Sequence, residues 1–204
     1  LSNLGDAHRA LGDSTAALAY YDESLEVNRA AGVVRNEATT LQARGSALLD
    51  LGRLDDARGV LDAAAAMHDE LGDRANLLQT WCGSLDVAVA AADRDSIDAL
   101  TARLVGALEP TDRPLLRQEV EVSLAEAFAA IGDAGEARRH ASRAFVAMDD
   151  ALAMLTPVER ARRRATLVIH GRTDRLLGAF GRRVAVELAR ADAPLGVTLS
   201  AEHR

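Results

Sequence analysis

An all-α solenoid of antiparallel helix pairs is the fold class this sequence predicts, and three observations carry the prediction. The first is composition. Apolar residues make up 49% of the 204 positions, yet one Trp, two Tyr and three Phe are the only aromatics. Ala and Leu must then fill the interior, which suits helices better than the β-branched and aromatic surface of a sheet. The second is self-similarity: shifted by 40 residues, the chain lines up with itself over four copies without an insertion. The third is punctuation, with Gly where helices stop and Asp or Ser where they start.

The columns of that alignment are specific. Gly12, Gly52, Ala92 and Gly132 share one, and Ala17, Ala57, Ile97 and Ala137 another. Leu11, Leu51, Ala91 and Ile131 form a third, and Ser24, Ala64, Leu104 and Ala144 a fourth. Gly5 pairs with Gly45, and Gly32 with Gly72. In the first copy, Leu1, Leu4 and Leu11 are spaced for one face of a helix that stops at Gly12. Asp13 or Ser14 then caps a second helix, which runs through Ala17, Tyr21, Ser24 and Leu25 to about Ala31. Small residues in the Ala17 column let two helix axes approach closely. A single copy cannot bury both its apolar faces, so stability must come from stacking. His8 shares a column with Leu48, Ala88 and Phe128, which predicts interior packing for it.

Leu4-Gly5, His8, Gly12, Ala17, Tyr21 and Ser24 have the spacing of the tetratricopeptide repeat signature, and Trp81 stands where that signature carries its tryptophan. The chain resembles that family over residues 1–150, in the longer variant found in kinesin light chains and bacterial regulatory proteins. Later copies depart from the Leu-Gly pair (Arg44-Gly45, Ser84-Leu85, Leu124-Ala125), the third copy most. The resemblance implies a right-handed α-solenoid with repeats at about 1–32, 33–72, 73–112 and 113–150. A capping helix pair is expected over 151–192, starting at Thr156-Pro157-Val158-Glu159, and an irregular tail over 193–204. A missing initial Met and an abrupt carboxyl end make a piece of a longer polypeptide the expectation.

Charge and residue usage narrow the chemistry. All 24 basic residues are Arg, so no phosphate-loop lysine, Schiff base or Ser-Lys dyad is available. Residues 1–150 carry 26 acidic against 14 basic side chains, and residues 151–204 carry 5 against 10. An acidic body disfavours nucleic acid as its partner. The cluster Arg160, Arg162, Arg163 and Arg164 spreads around a helix and reads as a solvated face. The five His stand in no metal-ligand spacing, and Gly171, Gly178 and Gly181 follow no strand, so they make no phosphate loop. One Cys cannot form an internal disulfide, no stretch is apolar enough to span a bilayer, and nothing reads as a secretory signal. A cytoplasmic protein is therefore expected. No enzyme, metal site or cofactor is expected.

The resemblance also implies that the first helix of each copy lines a concave groove. Its inner columns would be Asp6, Ser46, Asp86 and Glu126; Ser2, Gln42, Cys82 and Val122; and Thr39, Gln79 and Glu119. Lys and Asn are missing from these columns, so a two-carboxylate clamp for chaperone tails is not expected. Cys82 reads either as a groove thiol or as a small buried hydrophobe. The leading expectation is a scaffold whose acidic and polar groove binds a basic peptide, helix or partner domain. The alternative is a sensory module of a larger bacterial transcription regulator or signalling ATPase that responds to a signal peptide or small molecule.

Overall fold

The computed structural model describes residues 1–109 and 112–153; among them are eight α-helices and no strand. They are α1 (Ser2–Ala10), α2 (Ser14–Ala30), α3 (Val34–Asp50), α4 (Leu54–Glu70), α5 (Arg74–Ala90), α6 (Arg94–Ala107), α7 (Pro114–Ala130) and α8 (Ala134–Ala153). The chain divides into two compact units, Leu1–Ala147 and Met148–Arg204. Residues 148–153, the end of α8, are the described part of the second. The expected capping pair and tail, with the Arg160–Arg164 cluster, otherwise lie outside the described residues. In the first unit, successive helices from α1 to α7 pack on one another. In addition α1, α3, α5 and α7 form a row in which each touches the next. This is the solenoid of helix pairs that the sequence predicts.

One turn, used six times, makes this arrangement. Links 11–13, 31–33, 51–53, 71–73, 91–93 and 131–133 are each three residues long, and the middle residue of each is left-handed. In the first, Gly12 has φ +83°, its N–H bonds to Arg9 O, and the Asp13 N–H reaches back to His8 O. These two bonds close the end of a helix and reverse the chain. The Asp that follows often starts the next helix: Asp13, Asp73 and Asp93 accept hydrogen bonds from Ala16, Asn76 and Ser96 N–H, respectively. The Gly column found in the sequence is this turn. At Ala92 the same φ (+53°) is imposed on a residue with a Cβ, which such geometry strains. The neighbouring column of Leu11, Leu51, Ala91 and Ile131 marks the helix C-caps, not a core layer.

The core is a series of clusters along the stack. Ala17, Tyr21 and Ala47 form one, and Leu48, Ala57, Leu61 and Val87 the next. A larger one joins Leu78, Cys82, Leu85, Ala88, Ile97, Leu104, Val120 and Leu124 across α5, α6 and α7. Close approach within the first two pairs rests on missing side chains. A Cβ on Gly5 would fall 2.5 Å from the Tyr21 ring, and one on Gly45 2.6 Å from Leu61 Cγ. The equivalent positions in the next copies are Leu85 with Thr101 and Ala125 with Ala141, all buried. Large faces small in each of the first three pairs, and the order reverses in the third. The fourth pair, Ala125 with Ala141, is small on both sides.

Three expectations need correction. Leu1, Leu4 and Leu11 do not form a buried face: they are 46%, 51% and 84% exposed, and Gly5 is the buried residue of α1. Gly5 points at Tyr21, which turns the leucines away from α2. His8 is half-buried, stacked on Tyr20 at 5.0 Å between ring centroids, not interior. Ala137 is half-buried, whereas Ala17 and Ala57 are fully buried.

One core residue is unusual. His68 in α4 has no exposed surface, and neither ring nitrogen has a hydrogen-bond partner. Burial lowers its pKa below the ordinary 6.5; the Asp73 charge opposes this and the Arg35 charge adds to it.

Relieving the turn strain by Ala92→Gly is expected to raise unfolding free energy by roughly 0.5–1 kcal/mol in urea melts. Gly45→Ala is expected to cost about 1–3 kcal/mol, and the double change with Leu61→Ala less than the sum of its parts. Because the folded pKa of His68 is depressed, its contribution is neutral above pH 6.5 and destabilising as pH falls below it. His68→Leu should therefore flatten stability against pH just below 6.5; an unchanged slope there would refute the assignment.

Candidate functional site

All eleven side chains expected to line the groove lie on α1, α3, α5 and α7, the helices that form the continuous row. Asp6 is exposed and accepts the Tyr21 hydroxyl proton at 2.7 Å. Burial, then the Asp6 carboxylate, raises the pKa of this phenol, so Tyr21 stays a donor. Ser46, Asp86 and Glu126, the rest of that column, are half-buried. Ser2 Oγ lies 2.8 Å from Ser24 Oγ and 3.0 Å from Thr40 Oγ1, which joins α1 to α3. Gln79 donates to Glu119 at 2.8 Å, which joins α5 to α7. Thr39 is exposed and folds its hydroxyl back to Arg35 O; Ser46 does the same to Gln42 O. Gln42 is half-buried with its Oε1 enclosed and unbonded, and Val122 is half-buried. Cys82 is 4% exposed and packs with Leu78 and Leu85, so it is a core residue and presents no thiol on the face. Trp81 beside it is half-buried, with the Arg103 guanidinium 5.0 Å from its ring.

Sequence reasoning missed a series of arginine–aspartate contacts, three between neighbouring copies and one, Arg74–Asp112, within the third. Arg9 binds Asp50 at 2.6 Å, and Ser14 donates to the same carboxylate at 3.2 Å. Arg35 binds Asp73, Arg58 binds Asp93 at 2.9 Å, and Arg74 binds Asp112. Hydrogen bonding from Arg74 holds the Asp112 carboxyl below its usual range. Asp93 is held at about 2, first by the Ser96 hydroxyl and then by Ser96 N–H and Arg58. Burial would raise Asp73, but hydrogen bonds from Asn76 and the Arg35 charge outweigh it, and its pKa is lowered. These guanidinium groups are a third or more exposed, so solvent screens each pair and its net contribution is small. Their part is to hold one copy in register on the next. The common spacing of 38 in Arg35–Asp73 and Arg74–Asp112 was the signal available in the sequence.

A row of first helices carrying polar side chains, each braced by a second helix, defines a helical-repeat array. Residues 1–70 match the family model described as tetratricopeptide repeat, so the repeat recognised in the sequence is present there. Such repeats are typically non-catalytic modules that bind protein partners. No curated protein matches the chain. Among solved structures, the crystal structure of BtubC (BKLC) from P. vanneervenii is similar, with a TM-score of 0.60 at 19% identity. The match covers 76% of this chain and 64% of that one, so this chain spans less than two thirds of that length. A likeness at that identity establishes the shared fold. No described helix is long and apolar enough to cross a membrane.

Proposed function

We propose that this chain is a non-catalytic scaffold whose α1–α3–α5–α7 face holds a peptide or helix rich in Arg or Lys. The observation that carries the reading is the acidic column: Asp6, Asp86 and Glu126 recur at one position of successive first helices, with Ser46 as the exception. Carboxylates at a fixed spacing on one side of a stack attract a cationic segment and select its register. The Gln79–Glu119 and Ser2–Thr40 hydrogen bonds keep neighbouring first helices in a set relation, so little ordering is required when a ligand docks. An amphipathic basic helix or an extended basic peptide fits this chemistry, and nucleic acid, a polyanion, does not.

Reversing the column with Asp6→Arg, Asp86→Arg and Glu126→Arg together is expected to weaken binding of an Arg-rich helical peptide at least tenfold in calorimetry, with circular dichroism unchanged. Equal affinity in the triple variant would refute the assignment of the face. Affinity of the unaltered chain should fall as sodium chloride rises from 50 to 500 mM, since the Debye length then shrinks to a few ångström. A salt-independent affinity would point instead to an apolar anchor.

A further inference from the structure

Where the first and second copies meet, four side chains from α1, α2 and α3 form a closed hydrogen-bonded set. Ser2 Oγ lies 2.8 Å from Ser24 Oγ and 3.0 Å from Thr40 Oγ1. Asn28 Nδ2 donates to Ser24 Oγ at 3.3 Å and to Thr40 Oγ1 at 3.4 Å, and Thr40 donates to Asn36 O at 2.7 Å. Forty residues on, where the second and third copies meet, the same positions hold Gln42, Ala64, His68 and Thr80. Thr80 repeats the bond of Thr40, donating to Asn76 O at 2.8 Å. Ala64, His68 and Thr80 have no exposed surface. Yet Gln42 Oε1 and both ring nitrogens of His68 are enclosed with no protein group bonded to them.

The next junction shows that these positions adjoin whatever fills them. One period further they are Cys82, Leu104, Leu108 and Val120, which pack together in a single apolar cluster. The first junction is therefore joined by hydrogen bonds and the third by apolar contact. The second is polar like the first, but Ala64 stands where Ser24 carries its hydroxyl. That hydroxyl is the hub of the first set, accepting from Asn28 and bonded to Ser2.

The groups left around Ala64 are complementary to one small molecule. Gln42 Oε1 can only accept, and Thr80 Oγ1, its proton committed to Asn76 O, can only accept as well. The protonated nitrogen of the neutral His68 ring can only donate. A water molecule offers two protons and a lone pair to match, and three hydrogen bonds is the usual complement of a buried water. Immobilising it costs less than leaving buried donors and acceptors unpaired. The rest of the surroundings is apolar, with Leu25 and Leu41 packed on Ala64, so the polar groups converge on one place.

We propose that the junction of the second and third copies holds one buried water molecule in the place of the Ser24 hydroxyl, accepting from the His68 N–H and donating to Gln42 Oε1 and Thr80 Oγ1. It ties α3 to α4 and α5 as Ser2, Ser24 and Thr40 tie α1 to α2 and α3. The site uses none of the acidic column, so it stands or falls independently of the scaffold reading.

Ala64→Ser tests it, because the new hydroxyl takes the place of the water and restores the set of the first junction. Oxygen-17 relaxation dispersion of the solvent counts long-lived internal waters without interference from exchanging protons. On the full chain at pH 8, its amplitude is expected to fall by one water in Ala64→Ser, with the urea midpoint equal or higher. At a dry, closely packed junction the added hydroxyl would instead lower the midpoint and leave the amplitude as it was. A high-resolution crystal structure of the unaltered chain should show solvent density within hydrogen-bond distance of Gln42 Oε1 and a His68 ring nitrogen. An unchanged dispersion amplitude, a lowered midpoint or no density at that place would each overturn the proposal.

Discussion

The constraint on which the structure depends is the left-handed residue at the centre of each three-residue link. A helix closed by this turn leaves its successor no choice but to run back alongside it. Five such turns at twenty-residue intervals and a sixth forty residues on then generate the row of first helices. The exception is instructive. At position 112, where the interval calls for another Gly, the chain has Asp and the link lengthens to 108–113. Asp112 accepts the Glu109 N–H at 2.7 Å, and its own N–H donates to Glu109 O at 3.0 Å. Arg74 binds both the Asp112 carboxylate and Ala107 O. Side-chain hydrogen bonds there do the work that backbone geometry does elsewhere.

Given that turn, the distance between paired helices is set by residue volume. Gly5 lies under Tyr21 and Gly45 under Leu61, whereas in the third copy the large residue moves to the first helix as Leu85 and the small one to the second as Thr101. In the third pair the large and small residues exchange helices and both stay buried. It also explains why the third copy matches the tetratricopeptide signature least. The signature records a small residue on the first helix, and in the third copy Leu85 stands there with Thr101 opposite.

The difference marks how far the sequence could be read. Helix stops, caps and the 40-residue period are local, and they were legible because glycine conformation and Asp capping act within a few residues. The same period put Asp6, Asp86 and Glu126 at one position of successive first helices, since a period aligns residues without knowledge of their contacts. The faces were harder. Leu1, Leu4 and Leu11 obey helical spacing, but spacing does not say which side a helix turns inward, and Gly5 rather than any leucine decided it. Cys82 was placed on the correct helix but lies some way round it, in the core. The Glu121–His140 pair, nineteen residues apart on facing helices, depends on the relative rotation of α7 and α8, which no periodicity encodes.

The same reasoning separates fold from function in this chain. A structure that is 19% identical over most of this sequence keeps the fold, so the solenoid tolerates replacement of most side chains once turns and pair volumes are satisfied. Each copy then contributes stability mainly through its neighbours. The exposed Arg–Asp contacts between copies are individually weak, yet they recur along the stack and fix the offset of one copy on the next. That offset sets the separation of Asp6, Ser46, Asp86 and Glu126. On the function we propose, a basic segment that spanned several copies would meet charges whose spacing is set before it arrives, and its selection would be a matter of matching that spacing.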